Sequence, residues 1–262
     1  MTQLYQDNLA QLYDAAVPDW PGEIDFYRNL AQEDVDEHHS ILEIASGTGR
    51  VAIKLAQAGF QVVGIDLSQD MLSIARAKSA SLKNVTFVQA DMRSFDLNRD
   101  FALALVPAYS FQLLLTEKAQ KTCLEKISKH LIPRARLVLH LERQDPDWLA
   151  SLPSDSYTPF EASGETTHPH TSQLIRVSYA WSFDQALQSV AVIIRYETID
   201  PSGRVSERVD REPLRMHCTS ARRLESLLVR AGFEIEERRS DFASDSAPDA
   251  SDEMIWIARK RP

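Results

Sequence analysis

Three apolar runs in this chain close on an acid: Glu43 in "ILEIASGTG", Asp66 in "FQVVGIDLS" and Asp91 in "VTFVQADM". Gly47 and Gly49 follow the first acid, in a chain with only eight glycines. Lacking Cβ atoms, they let the backbone turn sharply and let a ligand rest against the main chain. A carboxylate closing the second run is placed to accept hydrogen bonds from ribose hydroxyls at a sheet's carboxyl edge. A short acid such as Asp91 suits an adenine amino group, and Met92 beside it suits the ring face. The glycine turn alone is equally a tight strand-to-helix connection. The ordered set of three acids favours a nucleoside-binding edge.

That reading requires elements that bring the three acids to one edge. Ile41–Ile44 reads as a strand, and residues 50–58 as a helix with Val51, Leu55 and Ala58 on one face, stopped by Gly59. "FQVVGID" is a second strand, and "SQDMLSIARAKSA" a helix capped by Ser68. "VTFVQAD", "FALALVPAYS" and "ARLVLHLE" supply three further strands, with a helix over "EKAQKTCLEKISKHL" before the last. Apolar strands alternating with amphipathic helices predict a mostly parallel α/β sheet with helices on both faces. After Glu142 the pattern changes. "QLIRVSYAWSF", "QSVAVIIRYETI" and "RVSERVDREPLRMH" partly alternate apolar and polar residues, and a turn at Asp200-Pro201-Ser202-Gly203 joins the last two. They predict an antiparallel β insertion after the fifth strand. A helix over "SARRLESLLVRAG" and strands "FEIEERRS" and "EMIWIARK" complete the sheet. Before it, Leu4, Leu9, Leu12 and Tyr13 suit one helix, and Ile24, Phe26, Tyr27 and Leu30 a second.

With "EIASGTG", "GIDLS" and "QADM" in this order, the chain resembles the class I S-adenosylmethionine-dependent methyltransferases. Ala45 stands where that family often has the first glycine. The resemblance implies a Rossmann-like sheet and S-adenosylmethionine as cofactor. Its implied contacts are Glu43, Ala45, Ser46, Gly47, Gly49 and Arg50 around the turn, Leu67 and Met71 beyond Asp66, then Asp91, Met92 and Val106. It also implies one domain over 1–262, made of a helical lid (1–39), a cofactor core (40–142), an antiparallel substrate lid (150–217) and a closing segment (218–262). The rival is NAD. Ala52 occupies the third position of a G-x-G-x-x-G/A fingerprint, so the glycines do not separate the two cofactors. Glu43 would repel a pyrophosphate but attract the methionine ammonium and sulfonium. A second rival is a protein that holds S-adenosylmethionine without turnover.

Methyl transfer needs an aligned, deprotonated nucleophile and exclusion of water. Candidate groups follow the fourth and fifth strands. Tyr109 offers a hydroxyl or an aromatic face, or is simply a core tyrosine. Glu142 suits orienting an amine or accepting a proton, and His140, on the same strand face, suits a general base. Glu142, nearer the strand end, is favoured. Tyr13 and Trp20 are lid candidates. Arg195, Arg215 and His217 are candidates for an acidic substrate, or are solvated strand residues. No N/D-P-P-aromatic motif stands at "VPAY", which lowers the expectation of methylation on DNA or protein. A small-molecule acceptor is expected, with N-methylation slightly ahead of O-methylation.

A net charge of −9, with no dense Lys/Arg run, argues against nucleic acid. No apolar run approaches the ~20 residues that span a bilayer, and the N-terminus lacks a basic-then-apolar signal pattern. Cys123 and Cys218, far apart and outside any CxxC, read as reduced thiols. A cytoplasmic protein without membrane partners is expected, as a monomer or homodimer. His168-Pro169-His170 lacks nearby acids at helical spacing and His38-His39 sits in a polar connector, so no metal is expected.

Overall fold

The structure is a computed structural model and describes residues 10, 12–14, 17, 19–36, 38–168, 171–243 and 252–262. It divides into two compact units, the larger being Asp19–Arg143 with Thr219–Pro262. The smaller takes its described residues from Met1–Pro18 and Gln144–Cys218.

The larger unit begins with α1 (Glu23–Asp34), β1 (Ile41–Ile44), α2 (Arg50–Gln57), β2 (Val62–Asp66) and α3 (Gln69–Lys78). β3 (Val85–Gln89), β4 (Phe101–Val106), a 3-10 helix (Ser110–Leu113), α4 (Glu117–His130) and β5 (Leu131–Glu142) follow. Ser68 caps α3 by accepting the Met71 N–H at 3.3 Å, and Thr116 caps α4 through the Ala119 N–H at 3.2 Å. Gly59 follows α2 at φ 101°, the left-handed geometry that ends a helix.

The smaller unit carries α5 (Pro146–Ser151), β6 (Glu161–Thr167), β7 (Leu174–Asp184), β8 (Ser189–Ile199), β9 (Val205–Asp210) and β10 (Leu214–His217). The chain then returns to the larger unit through α6 (Ala221–Arg230), β11 (Phe233–Arg239) and β12 (Glu253–Lys260).

The larger unit's sheet has the order β11-β12-β5-β4-β1-β2-β3. The five strands from β5 to β3 are parallel, whereas β12 runs antiparallel to β5, and β11 to β12. One face packs on α4 and α6 through Cys123, Leu124, Ile127, Leu224, Leu227 and Leu228. The other packs on α1, α2 and α3 through Phe26, Tyr27, Val51, Leu55 and Leu72. Because β1 and β4 are central, each of their residues is buried. That is why both read as unbroken apolar runs. The expected α/β class and antiparallel insertion are present.

Several local expectations needed correction. The fourth strand stops at Val106 instead of continuing to Ser110, because Ala108 and Tyr109 adopt φ 50° and 60°. The run 204–217 is two strands, broken at Arg211-Glu212-Pro213, where Pro213 has no N–H to continue a ladder. β6, "EASGETT", was not anticipated. Nearly all of it is exposed, and it is a strand only through its ladder with β7, so no apolar alternation marks it. Of the first predicted helix, Leu12 and Tyr13 are helical, and Leu4 and Leu9 lie outside the described residues.

Candidate active site

The turn after β1 is built on three left-handed residues: Ala45 (φ 54°), Gly47 (φ 54°) and Gly49 (φ 79°). For Ala45 this conformation costs about 1 kcal/mol or more, strain of the kind stored at functional loops. The Ser46 N–H donates to the Ile65 carbonyl at 2.9 Å, tying the turn to β2. Asp66, at the end of β2, accepts the Gly47 N–H at 2.8 Å with one carboxylate oxygen and the Ser68 N–H at 2.8 Å with the other. Burial raises its pKa above the ordinary value, against these bonds. Gly64 was not singled out from sequence. A Cβ there would lie 2.7 Å from the Ser46 side chain, so a residue without one lets the turn lie against β2. Gly49 is equally confined, since its Cβ would meet Phe87 Cζ at 2.8 Å and Ile53 Cδ1 at 2.9 Å.

Glu43 is 2% exposed, and its Oε2 has no hydrogen-bond partner among the described residues. Burial pushes its carboxyl up to about 8, although the nearby Arg50 guanidinium pulls the other way. Ser46 Oγ is likewise buried without a partner. Buried acceptors left open beside a glycine turn fit a ligand that brings its own cationic or hydroxyl donors. The ammonium and ribose hydroxyls of S-adenosylmethionine are such donors, and a pyrophosphate offers none to Glu43. Arg50, expected at the cofactor, also reaches α1 and the segment before it. It holds Glu23 of α1 in a two-pronged ion pair, bonds Asp19 at 3.0 Å, and lies over the Trp20 ring at 5.2 Å.

Asp91 lies two residues past β3. The Arg93 backbone N–H and Nε donate to it at 2.8 and 2.9 Å, and the Arg93 side chain holds its carboxyl below the ordinary value. Met92 packs partly buried against the core. Met71 is buried in the first turn of α3, and the half-buried Leu67 accepts the Gln89 side-chain N–H through its carbonyl. Val106 has no exposed surface and belongs to the core.

The ends of β4, β5 and β12 bring a second group together. Strand order places β4 between β1 and β5, next to the glycine turn's own strand. The Ala108 N–H donates to His140 Nδ1 at 3.3 Å, and the Tyr109 N–H to the His140 carbonyl at 3.0 Å. With Nδ1 accepting, Nε2 carries the ring proton and donates it to Glu253 Oε2. The Tyr109 hydroxyl and the Trp20 indole N–H donate to Glu253 Oε1 at 2.7 and 2.8 Å. The rings meet edge to face, Trp20 to His140 at 4.8 Å and Trp20 to Tyr109 at 5.4 Å between centroids. Burial, and then the Glu253 charge, push the Tyr109 hydroxyl well above its usual range, so it stays protonated. Burial alone would raise Glu253 too, but the His140, Tyr109 and Trp20 donors outweigh it and hold the carboxyl below its ordinary value. Glu142 is the register partner of Glu253 across β5 and β12. Its backbone is clasped by Gln112, which accepts the Glu142 N–H at 2.8 Å and donates to its carbonyl at 3.2 Å.

Tyr109, His140, Glu142 and Trp20, four sequence candidates, thus come together around a fifth residue that sequence reasoning missed. Glu253 opens the strand "EMIWIARK", and only the antiparallel register with β5 aligns it with Glu142. The remaining candidates belong to the smaller unit. Tyr13 is half-buried. Arg195 pairs with Asp210 at 2.6 Å and lies 3.6 Å over the Phe160 ring. Arg215 is exposed, and burial pulls the half-buried His217 imidazole below its ordinary value.

A mostly parallel sheet of this order, with a glycine turn after β1 and acids closing β2 and following β3, defines a Rossmann-like α/β protein of nucleoside-binding type. The chain is similar to the class I S-adenosylmethionine-dependent methyltransferases, and S-adenosylmethionine is the cofactor which that similarity implies. Residues 41–134 match the methyltransferase domain family. The putative methyltransferase YqeM of Bacillus subtilis (strain 168) is 25% identical over 98% of this chain and 97% of that protein. The dTDP-3-amino-3,6-dideoxy-alpha-D-glucopyranose N,N-dimethyltransferase of Streptomyces fradiae is 28% identical over 67% of this chain and 66% of that protein. A solved S-adenosylmethionine-dependent methyltransferase from Clostridium acetobutylicum ATCC 824 has the same fold. It superposes with a TM-score of 0.75 at 20% identity, over 94% of each chain. Neither the NAD alternative nor that of a non-catalytic binding protein gains support from these relatives.

Proposed function

We propose that the protein N-methylates a small-molecule amine. The observation that carries this reading is the state of Tyr109 and His140, two of the three candidate catalytic groups. Tyr109 is held protonated and donates to Glu253, and both ring nitrogens of His140 are engaged. An alcohol needs a strong base to become a nucleophile. An amine needs only to lose its ammonium proton, which leaves far more readily than an alcohol's, and then to be oriented. The dTDP-amino-sugar N,N-dimethyltransferase from Streptomyces fradiae acts, by its name, on an amine, which supports the same choice.

When bound, S-adenosylmethionine supplies a methyl group already activated on sulfonium. The chain's own residues have positioning tasks. Glu43 and the Gly47–Gly49 turn would hold the methionine end, Asp66 the ribose, and Asp91 with Met92 the adenine. Trp20 and Tyr109 would exclude water and present ring faces that attract a cation. Glu142 would orient the acceptor from the end of β5. A cytoplasmic location belongs to the same reading and is supported by Cys123 and Cys218, which form no disulfide with each other.

The test is a turnover panel with S-adenosylmethionine, in which amino sugars, amino acids and simple amines are each paired with their hydroxyl analogues. Product mass and S-adenosylhomocysteine release are followed. Methylation of amines and not of the analogues is expected. Methylation of the hydroxyl compounds alone would overturn the reading.

A further inference from the structure

The Glu253 carboxylate lies where β12 starts, against the end of β5, and its side chain is 18% exposed. It takes three donors from three separate segments: Trp20 before α1, Tyr109 after β4, and His140 on β5. The indole and phenol are uncharged, and the imidazole accepts the Ala108 N–H at Nδ1, which leaves Nε2 to face Glu253. These donors fix the orientation of the carboxylate. His140 itself has no exposed surface, so it reaches other molecules only through Glu253.

We infer that Glu253 is the catalytic residue that receives the acceptor nitrogen, and that His140 is the positioning residue that aims it. The inference rests on the N-methylation reading. In this role Glu253 accepts an N–H from the neutral amine, which turns the nitrogen lone pair away from the carboxylate. As the new N–C bond forms, positive charge grows on that nitrogen, and a fixed anion beside it stabilises the change. No proton transfer to Glu253 is needed, and a carboxylate already holding three donors suits an anion rather than a base. Trp20 and Tyr109 add ring faces around the same cation. A hydroxyl acceptor would make weaker use of such a charge.

The experiment uses the full chain and whichever amine of the panel the wild type turns over, with its hydroxyl analogue as competitive inhibitor. Glu253→Gln keeps the shape and removes the charge. Its kcat for the amine should fall at least 30-fold. The inhibition constant of the hydroxyl analogue and the affinity for S-adenosylhomocysteine should stay within about twofold. His140→Phe should lower kcat similarly. His140→Gln, whose amide N–H can still reach Glu253, should recover much of the loss. His140→Phe added to Glu253→Gln should cost little more. Glu253→Gln with kcat within threefold of wild type would overturn the assignment. So would equal loss of amine turnover, analogue binding and S-adenosylhomocysteine binding, since that marks a structural role only. If the wild type methylates hydroxyl compounds and no amine, the N-methylation reading itself falls. Amine turnover that survives Glu253→Gln removes only the assignment of Glu253.

Discussion

Asp66 accepts the Gly47 N–H at 2.8 Å, so the acid at the end of β2 also holds the glycine turn that follows β1. One side chain thereby serves the cradle and, in the proposed role, the ribose. Asp66→Ala should weaken S-adenosylhomocysteine binding by about 1–3 kcal/mol, the range for losing a bond to a charged group. Titration calorimetry checks this, and unchanged affinity would contradict the ribose role.

The turn also depends on what is absent from β2. Gly64→Ala would place a methyl 2.7 Å from the Ser46 side chain and 2.9 Å from Phe87 Cδ1. The variant should lose about 1–3 kcal/mol of stability through overpacking. It should also bind S-adenosylhomocysteine less well, as Ser46 is pushed out of register. Urea denaturation beside a binding isotherm separates the two effects.

Arg50 and Glu23 join α2 to α1, and the Glu23 side chain is 0% exposed. Arg50→Met leaves that carboxylate buried without its main cation, which should cost roughly 3–5 kcal/mol. Adding Glu23→Gln should restore most of the loss. A double variant no more stable than Arg50→Met would show that the pair contributes by packing rather than by charge.

Glu43 gives a pH dependence with a defined sign. Burial raises its carboxyl from an ordinary 4.5 to about 8, so across that window the folded chain holds a proton that the unfolded chain has lost. Its share of stability is full below the lower value, declines as pH rises, and levels off above the upper one. Glu43→Gln should remove this slope in denaturation curves recorded across the window. Binding acts in the opposite sense. An ammonium beside Glu43 favours its ionised form, so S-adenosylhomocysteine should release a proton near neutral pH. Calorimetry in two buffers of different ionisation enthalpy detects that release, and Glu43→Gln should abolish it.

The cradle was legible in the chain because its parts are local. β1, the turn, α2 and β2 follow one another within 41–66, and parallel pairing of β1 with β2 sets Glu43 opposite Gly64. Glycine at a left-handed turn and an acid at a strand end are residue types that the local backbone itself demands. Apolar runs announced β4 and β5 for the same reason, since burial on both faces writes itself into consecutive residues.

Other features had no local signal. β6 is polar and exists through its partner, and the end of β4 was misread because His140, a residue of β5, bends Ala108 and Tyr109 into the left-handed region.

The amino-acid sequence by itself determined the sheet class and the glycine turn with its acids, because short-range geometry fixes them, and its motifs carried the resemblance that implies the cofactor. Only the tertiary structure decided what gathers around His140 and Tyr109. Glu253 stands 113 residues from His140, 144 from Tyr109 and 233 from Trp20 along the chain. The antiparallel register of β12 on β5 brings it to them, and a one-residue slip would turn its side chain to the other face of the sheet. A contact made by register between distant strands leaves no pattern of spacing in the chain, so it had to be read from the fold.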